Sequence, residues 1–249
     1  MSVLYQMDIR RKLNTVRTLG AKGTAERLSR LTRDALQNFY LLLAYPYIAR
    51  RFWSRRGGEK YYQSIMDDLT LRRTHLRTQS RLVELLSGIE FQSLLEVGCG
   101  FGWNLGYLKE KFPDKDLVGC DFSNPQLEKA KRLYGDGIQF EFADASSMPY
   151  GSRSFDVVMT VGCLIHVPPK RIRRVVQEIQ RVAKSYIVLM EEDPKFTEPE
   201  KVKCLSAAGW LFWHDYERLF QDRCEIILCK NESPDLSVSL DTHFFGLKT

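Results

Sequence analysis

A chain of 249 residues suits one α/β domain with an added helical segment, and its 44% hydrophobic and 27% charged residues are those of a folded globular protein. Collagen-like, coiled-coil and wholly disordered chains are thereby excluded. The net charge of +6 is unevenly placed, because residues 1–60 hold 13 Lys/Arg against 4 Asp/Glu and the rest carry a slight acidic excess. A basic segment of this kind is expected to meet an anionic surface: lipid headgroups, a phosphorylated substrate, an acidic partner or nucleic acid.

Six cysteines form no C-x-x-C pair, and four histidines add no zinc-ligand spacing, so no metal site is expected and the thiols are read as reduced. The first residues lack the apolar core of a secretory signal, and no run approaches the ~18 apolar residues of a membrane span. A cytoplasmic protein is expected, with peripheral membrane attachment as the alternative.

From Asp8 to about Leu43 apolar residues recur at three-to-four spacing among arginines, which predicts helices. The aromatic stretch Phe39 to Ala49 follows, and Gly57-Gly58 ends this pattern. Residues 1–57 therefore read as a basic helical extension, either capping the main domain or resting on a membrane or partner, and residues 58–249 as the main domain. Tyr61 to Ser87 predicts one or two amphipathic helices. Beyond them a strand at Phe91 to Gly98, a helix to Phe112, a strand at Leu117 to Asp121, a helix at Gln126 to Tyr134 and a strand at Ile138 to Phe142 set a βαβ rhythm. It continues through a strand at Phe155 to Thr160, a helix at Pro169 to Ala183 and a strand at Tyr186 to Met190. An irregular insert at 194–215, a short helix at Tyr216 to Phe220 and a hairpin of Glu225 to Cys229 with His243 to Gly246 complete the chain.

The chemistry concentrates at Glu96-Val97-Gly98-Cys99-Gly100-Phe101-Gly102, where glycines between a strand and a helix let the backbone and its N–H groups approach a ligand. The dinucleotide fingerprint needs glycine at 103, and Trp103 stands there, which argues against a pyrophosphate. Asp121 ends the second strand, where a carboxylate can accept both hydroxyls of a ribose. Glu96 places a second carboxylate beside the turn, repelling phosphate and suiting a sulfonium or an ammonium. An unphosphorylated adenosine bearing a cation fits this set.

These residues resemble the class I S-adenosylmethionine-dependent methyltransferases. The resemblance covers about residues 91–246: Glu96 to Gly102 matches the first motif, Gly119-Cys120-Asp121-Phe122-Ser123 the second, Ala143-Asp144-Ala145 the third and Phe155-Asp156-Val157-Val158 the fourth. It implies a Rossmann-like seven-stranded sheet of order 3-2-1-4-5-7-6 with strand seven antiparallel, and S-adenosyl-L-methionine as cofactor. It further implies that Gly98, Cys99, Gly100 and Gly102 shelter the methionine portion, that Asp121 holds the ribose, that Phe122 packs on the base, that Asp144 with Ala145 meets the adenine, and that Tyr62 lids the cofactor. Against the role of Asp144 stands an ordinary capping turn through Asp144-Ala-Ser-Ser.

A base is needed only where the acceptor must lose a proton. His166 follows the fourth strand at the sheet edge where open α/β sheets hold ligands, and it is read either as that base or as a pocket wall. His214 and Asp215 are a secondary pair that could approach the acceptor. The expected reaction is methyl transfer to a small-molecule acceptor, a hydroxyl or amine of a sugar or biosynthetic intermediate. A lipid-linked acceptor, a methyltransferase-like binding or regulatory subunit and a nicotinamide-dependent reductase are the alternatives. Nucleic acid ranks last as a partner, since no base-reading arrangement is present.

Overall fold

The computed structural model describes residues 51–55, 58–193, 212–231 and 241–247, all of which belong to one compact unit spanning 49–249. The helices expected over 8–43, the stripe at 39–49 and most of the insert at 194–215 lie outside the described residues. Residues 51–55 are helical. After them come α1 (Glu59–Asp67), α2 (Leu69–Ser87), β1 (Ser93–Val97), α3 (Trp103–Lys111), β2 (Asp116–Asp121), α4 (Asn124–Tyr134), β3 (Ile138–Phe142) and β4 (Phe155–Val161). A single 3-10 turn at Leu164–His166 leads to α5 (Pro169–Val182), β5 (Ala183–Glu191), α6 (Tyr216–Phe220), β6 (Cys224–Asn231) and β7 (Asp241–Leu247).

The seven strands form one sheet in the order β3-β2-β1-β4-β5-β7-β6, with β7 antiparallel to both its neighbours and the other pairings parallel. This is the order that the resemblance of the motifs implies. Its central strands are buried on both faces, as the near-continuous apolar runs of a parallel sheet require. Successive side chains alternate between two cores. Leu94, Val157, Val188 and Phe244 pack against Leu82 and Leu86 of α2, Leu105 and Leu108 of α3 and Leu127 of α4. Their neighbours Leu95, Val158, Leu189 and Phe245 pack on the opposite side against Val175, Val176 and Ile179 of α5 and Tyr216 and Phe220 of α6. The three-layer sandwich holds the carboxyl ends of β1, β2 and β4 side by side. The connections from β1 and β4 leave in opposite directions there, opening the crevice in which such sheets bind ligands.

Candidate active site

The turn after β1 is shaped by three left-handed glycines, Gly98 at φ 76°, Gly100 at φ 55° and Gly102 at φ 76°. Close packing excludes a side chain as well: a Cβ on Gly98 would lie 2.4 Å from Cys163 Sγ, so the glycine turn and the loop after β4 touch. The N–H groups of Gly98 and Cys99 donate to the Cys120 carbonyl at 2.8 and 3.1 Å, tying the turn to the end of β2.

Asp121 sits at that end and joins two loops. Its Oδ2 accepts from the Gly100 N–H at 3.0 Å and its Oδ1 from the Ser123 N–H at 2.8 Å. Burial raises its pKa, while the Ser123 and Gly100 bonds oppose the rise. A carboxylate offers roughly four acceptor sites, so capacity for the two hydroxyls of a ribose is left. Phe122, half-buried, follows directly.

Glu96 is the site's unsatisfied acid group. It is 1% exposed, and its Oε1 accepts from Asn104 Nδ2 at 2.7 Å, whereas Oε2 is buried without a hydrogen-bond partner. Burial pushes its pKa up to about 8, with the neighbouring Asp121 adding to the rise. A buried carboxylate oxygen left orphaned is unfavourable, and a cationic ligand beside the turn would relieve it.

Asp144 lies just beyond β3, whose following residue Ala143 donates its N–H to the Asp121 carbonyl at 3.0 Å. Its Oδ1 accepts from Ser146 N at 2.9 Å and Ser146 Oγ at 2.7 Å, and its Oδ2 lies 3.4 Å from Arg171 Nη2. Burial acts to raise its pKa, but the Ser146 and Arg171 bonds outweigh it and the net shift is downward. Asp144 therefore closes a tight turn on Ser146, with no helix after it to cap, and it is half-buried with Ala145 beside it. Tyr62 packs on the glycine turn itself, its ring 5.3 Å from Phe101 and 5.4 Å from Trp103, with Lys129 Nζ 4.4 Å over its other surface.

His166 closes the 3-10 turn after β4, and its ring lies 4.7 Å from that of Trp53 at 68°. The Trp53 carbonyl accepts from Ser123 Oγ at 3.1 Å, so residues 51–55 reach both the second-motif loop and the histidine. The Phe212 N–H donates to the Ile165 carbonyl at 2.7 Å, which adds a further wall. His214 is buried, and its Nε2–H donates to the Val167 carbonyl at 2.8 Å. Asp215 is occupied as the N-cap of α6, accepting from Arg218 N at 3.1 Å. The Cys99, Cys120 and Cys163 thiols are pushed up by burial, as packing residues are.

Two residues at this site lie outside the sequence motifs. Trp53 meets it from 70 positions before Ser123, and Glu191, at the end of β5, accepts four hydrogen bonds from the β4 strand and loop. An acidic pair closing an apolar strand, Glu191-Glu192, was the one available hint of the latter.

The orphaned Glu96 oxygen, the three left-handed glycines and the spare acceptor capacity of Asp121 fit an adenosine carrying a cation. Residues 94–185 match the family described as "Methyltransferase domain". An O-methyltransferase, cnsE, from Penicillium expansum is 30% identical over 130 residues, covering 50% of this chain and 44% of the relative. A demethylmenaquinone methyltransferase from Thermotoga maritima is 31% identical over 122 residues, covering 48% and 52% respectively. The chain thus spans about half the length of these curated relatives. The crystal structure of magnesium protoporphyrin IX methyltransferase from Synechocystis with bound S-adenosylhomocysteine superposes with a TM-score of 0.68 at 15% identity, over 82% of this chain and 100% of that one, and shares its fold. Residues 94–185 thus match a methyltransferase domain, and the sheet order is the one implied by the resemblance of the motifs to class I S-adenosylmethionine-dependent methyltransferases.

Proposed function

We propose that the protein transfers a methyl group from S-adenosylmethionine to a small-molecule acceptor, a hydroxyl or amine of a sugar or other biosynthetic intermediate. The observation that carries this reading is the buried, partnerless Glu96 Oε2 beside the glycine turn. When bound, S-adenosylmethionine supplies an electrophilic methyl on a positively charged sulphur that departs neutral, so no residue has to protonate the leaving group.

The protein's task is alignment and exclusion of water. Glu96 supplies the negative charge that a sulfonium or ammonium requires. Asp121 accepts the ribose hydroxyls while its two N–H bonds keep the carboxylate oriented, Phe122 and the Asp144-Ala145 edge border the base, and Gly98, Cys99, Gly100 and Gly102 allow close approach of the backbone. Tyr62, seated on Phe101 and Trp103, covers the turn. His166 takes the acceptor's proton where the acceptor is a hydroxyl or an ammonium.

Of the basic extension, residues 51–55 border this cleft: Trp53 lies against His166 and its carbonyl accepts from Ser123 Oγ, which is the support for a capping role over membrane contact. Among the described residues no helix is long and apolar enough to cross a membrane. Deleting residues 1–56 distinguishes the two: a cap predicts a poorly folded or inactive product, whereas a membrane anchor predicts an active one that no longer floats with anionic liposomes.

Incubation of the purified chain with S-adenosylmethionine and the small-molecule fraction of a cell extract tests the reaction. Acceptor-dependent formation of S-adenosylhomocysteine is expected. Cofactor binding without turnover on any fraction would instead indicate a regulatory or assembly subunit.

A further inference from the structure

β5 ends in Glu191, which is completely buried. Its Oε1 accepts from Thr160 Oγ1 at 2.8 Å, from the Cys163 N–H at 2.9 Å and from the Leu164 N–H at 3.1 Å, and its Oε2 accepts from the Ile165 N–H at 3.3 Å. Three successive backbone N–H groups thus converge on one carboxylate. A run of N–H groups pointing inward makes an anion-binding concavity, and here the anion is built into the next strand.

The register explains how it arrives there. Val161 pairs with Met190, so Glu191 stands one step beyond the last rung, directly beneath the loop that leaves β4. That loop has two functional ends. Cys163 Sγ abuts Gly98, forming a wall of the cofactor turn, and the same 3-10 turn finishes at His166. The turn has no side-chain cap; within it the His166 N–H donates to the Cys163 carbonyl at 3.1 Å and the Val167 N–H to the Leu164 carbonyl at 2.9 Å, so the Glu191 carboxylate adds four bonds, from Thr160 and the 163–165 backbone, to a turn closed by its own backbone. A buried carboxylate is costly compared with an apolar side chain of similar size, so its presence here needs a reason other than stability. Fixing the loop supplies one, since a displacement of about 1 Å at a reacting group can slow a reaction on the order of a hundredfold.

We propose that Glu191 is a positioning residue for methyl transfer, its carboxylate clamping the 163–165 backbone so that His166 and the Cys163 wall face the reacting centre together. The proposal rests on the methyltransferase reading of the site. Glu191 is fully buried with both carboxylate oxygens bonded to the 160–165 segment, so it would act through the loop.

The test compares the full-length wild type with Glu191→Gln and Glu191→Asp by amide hydrogen exchange and by kinetics on the acceptor found in extract. In Glu191→Gln the amides of Cys163, Leu164 and Ile165 should exchange about tenfold faster or more, because hydrogen bonds to a charged acceptor are replaced by weaker ones and the amide NH2 confronts one donor. Sheet amides such as Ile187 and Phe245 should keep their protection. The kcat should fall at least about tenfold, on the order of the loss expected from a displaced catalytic group, with KM for S-adenosylmethionine within about threefold. Glu191→Asp, which keeps the charge, should recover part of both losses, and it serves the same comparison if the glutamine variant does not fold. Unchanged exchange at the three amides would overturn the proposal. So would a uniform acceleration across sheet and loop, which would mark Glu191 as a general stability residue. Should wild type fail to bind S-adenosylmethionine, the methyltransferase reading falls while the exchange comparison still decides whether Glu191 clamps the loop.

Discussion

Cofactor affinity should depend on pH through Glu96. In the free protein burial holds this carboxyl protonated up to about pH 8, whereas a cation against Oε2 favours the carboxylate. Binding therefore expels a proton at any pH below that value, and affinity follows the fraction of free protein already ionised. Raising the pH from 6 to 7 should strengthen S-adenosylmethionine binding about tenfold, or about 1.4 kcal/mol. The sign excludes the ligand as the source, because its own amine, ionising at roughly 8, loses charge and weakens binding as pH rises. Calorimetry in two buffers of different ionisation heat should count about one proton released per cofactor in this range. Glu96→Gln should flatten the profile. The uncharged adenosine thioether 5′-methylthioadenosine should show no slope even with wild type. A flat wild-type profile, or the same slope in Glu96→Gln, would refute the assignment of Glu96 as the partner of the cofactor's charge.

Three further outcomes follow from the same geometry. Asp121→Ala should weaken S-adenosylhomocysteine binding by about 1–3 kcal/mol through lost charge-assisted bonds to ribose, and unchanged calorimetric affinity would reject the ribose assignment. His166→Ala should lower kcat by about 10²–10⁴ if the imidazole takes the acceptor's proton, with cofactor affinity nearly intact; a loss of affinity instead identifies it as a pocket wall. Gly98→Ala imposes a left-handed backbone on alanine, costing about 1–2 kcal/mol before the contact with Cys163 is counted, and should lower the thermal midpoint by several degrees. Adding Cys163→Ala removes the sulphur and should return part of that loss, read by calorimetric melting.

What could be read from the chain was what neighbouring residues encode. The apolar runs at Leu94-Leu95, Val157-Val158 and Ile187 to Met190 announce strands buried on both faces, and the glycine turn between β1 and α3 is recorded within eight residues. The edge hairpin was expected over Glu225 to Cys229 and His243 to Gly246. Both strands run longer, to Cys224–Asn231 and Asp241–Leu247, because pairing with β7 rather than hydrophobicity carries Lys230 and Asn231. Trp103 was legible only as a missing third glycine. In the fold it opens α3 among Tyr62, Phe101 and His75, so an aromatic cluster covers the helix start where a dinucleotide-binding turn would bring backbone to pyrophosphate. Glu191 and Trp53 could not be read, since each acts across 26 to 70 positions through register and packing that no local pattern specifies. His214 illustrates the converse: placed beside an aromatic run it looked available to an acceptor, yet tertiary packing turns it onto the Val167 carbonyl.

The most direct test is a calorimetric titration of the full chain with S-adenosylhomocysteine and, separately, with NAD. One saturable site for the nucleoside thioether, competed by S-adenosylmethionine and with no uptake of NAD, is the expected result. Absence of binding by both sulphur nucleosides would contradict the assignment of the cleft at the ends of β1, β2 and β4.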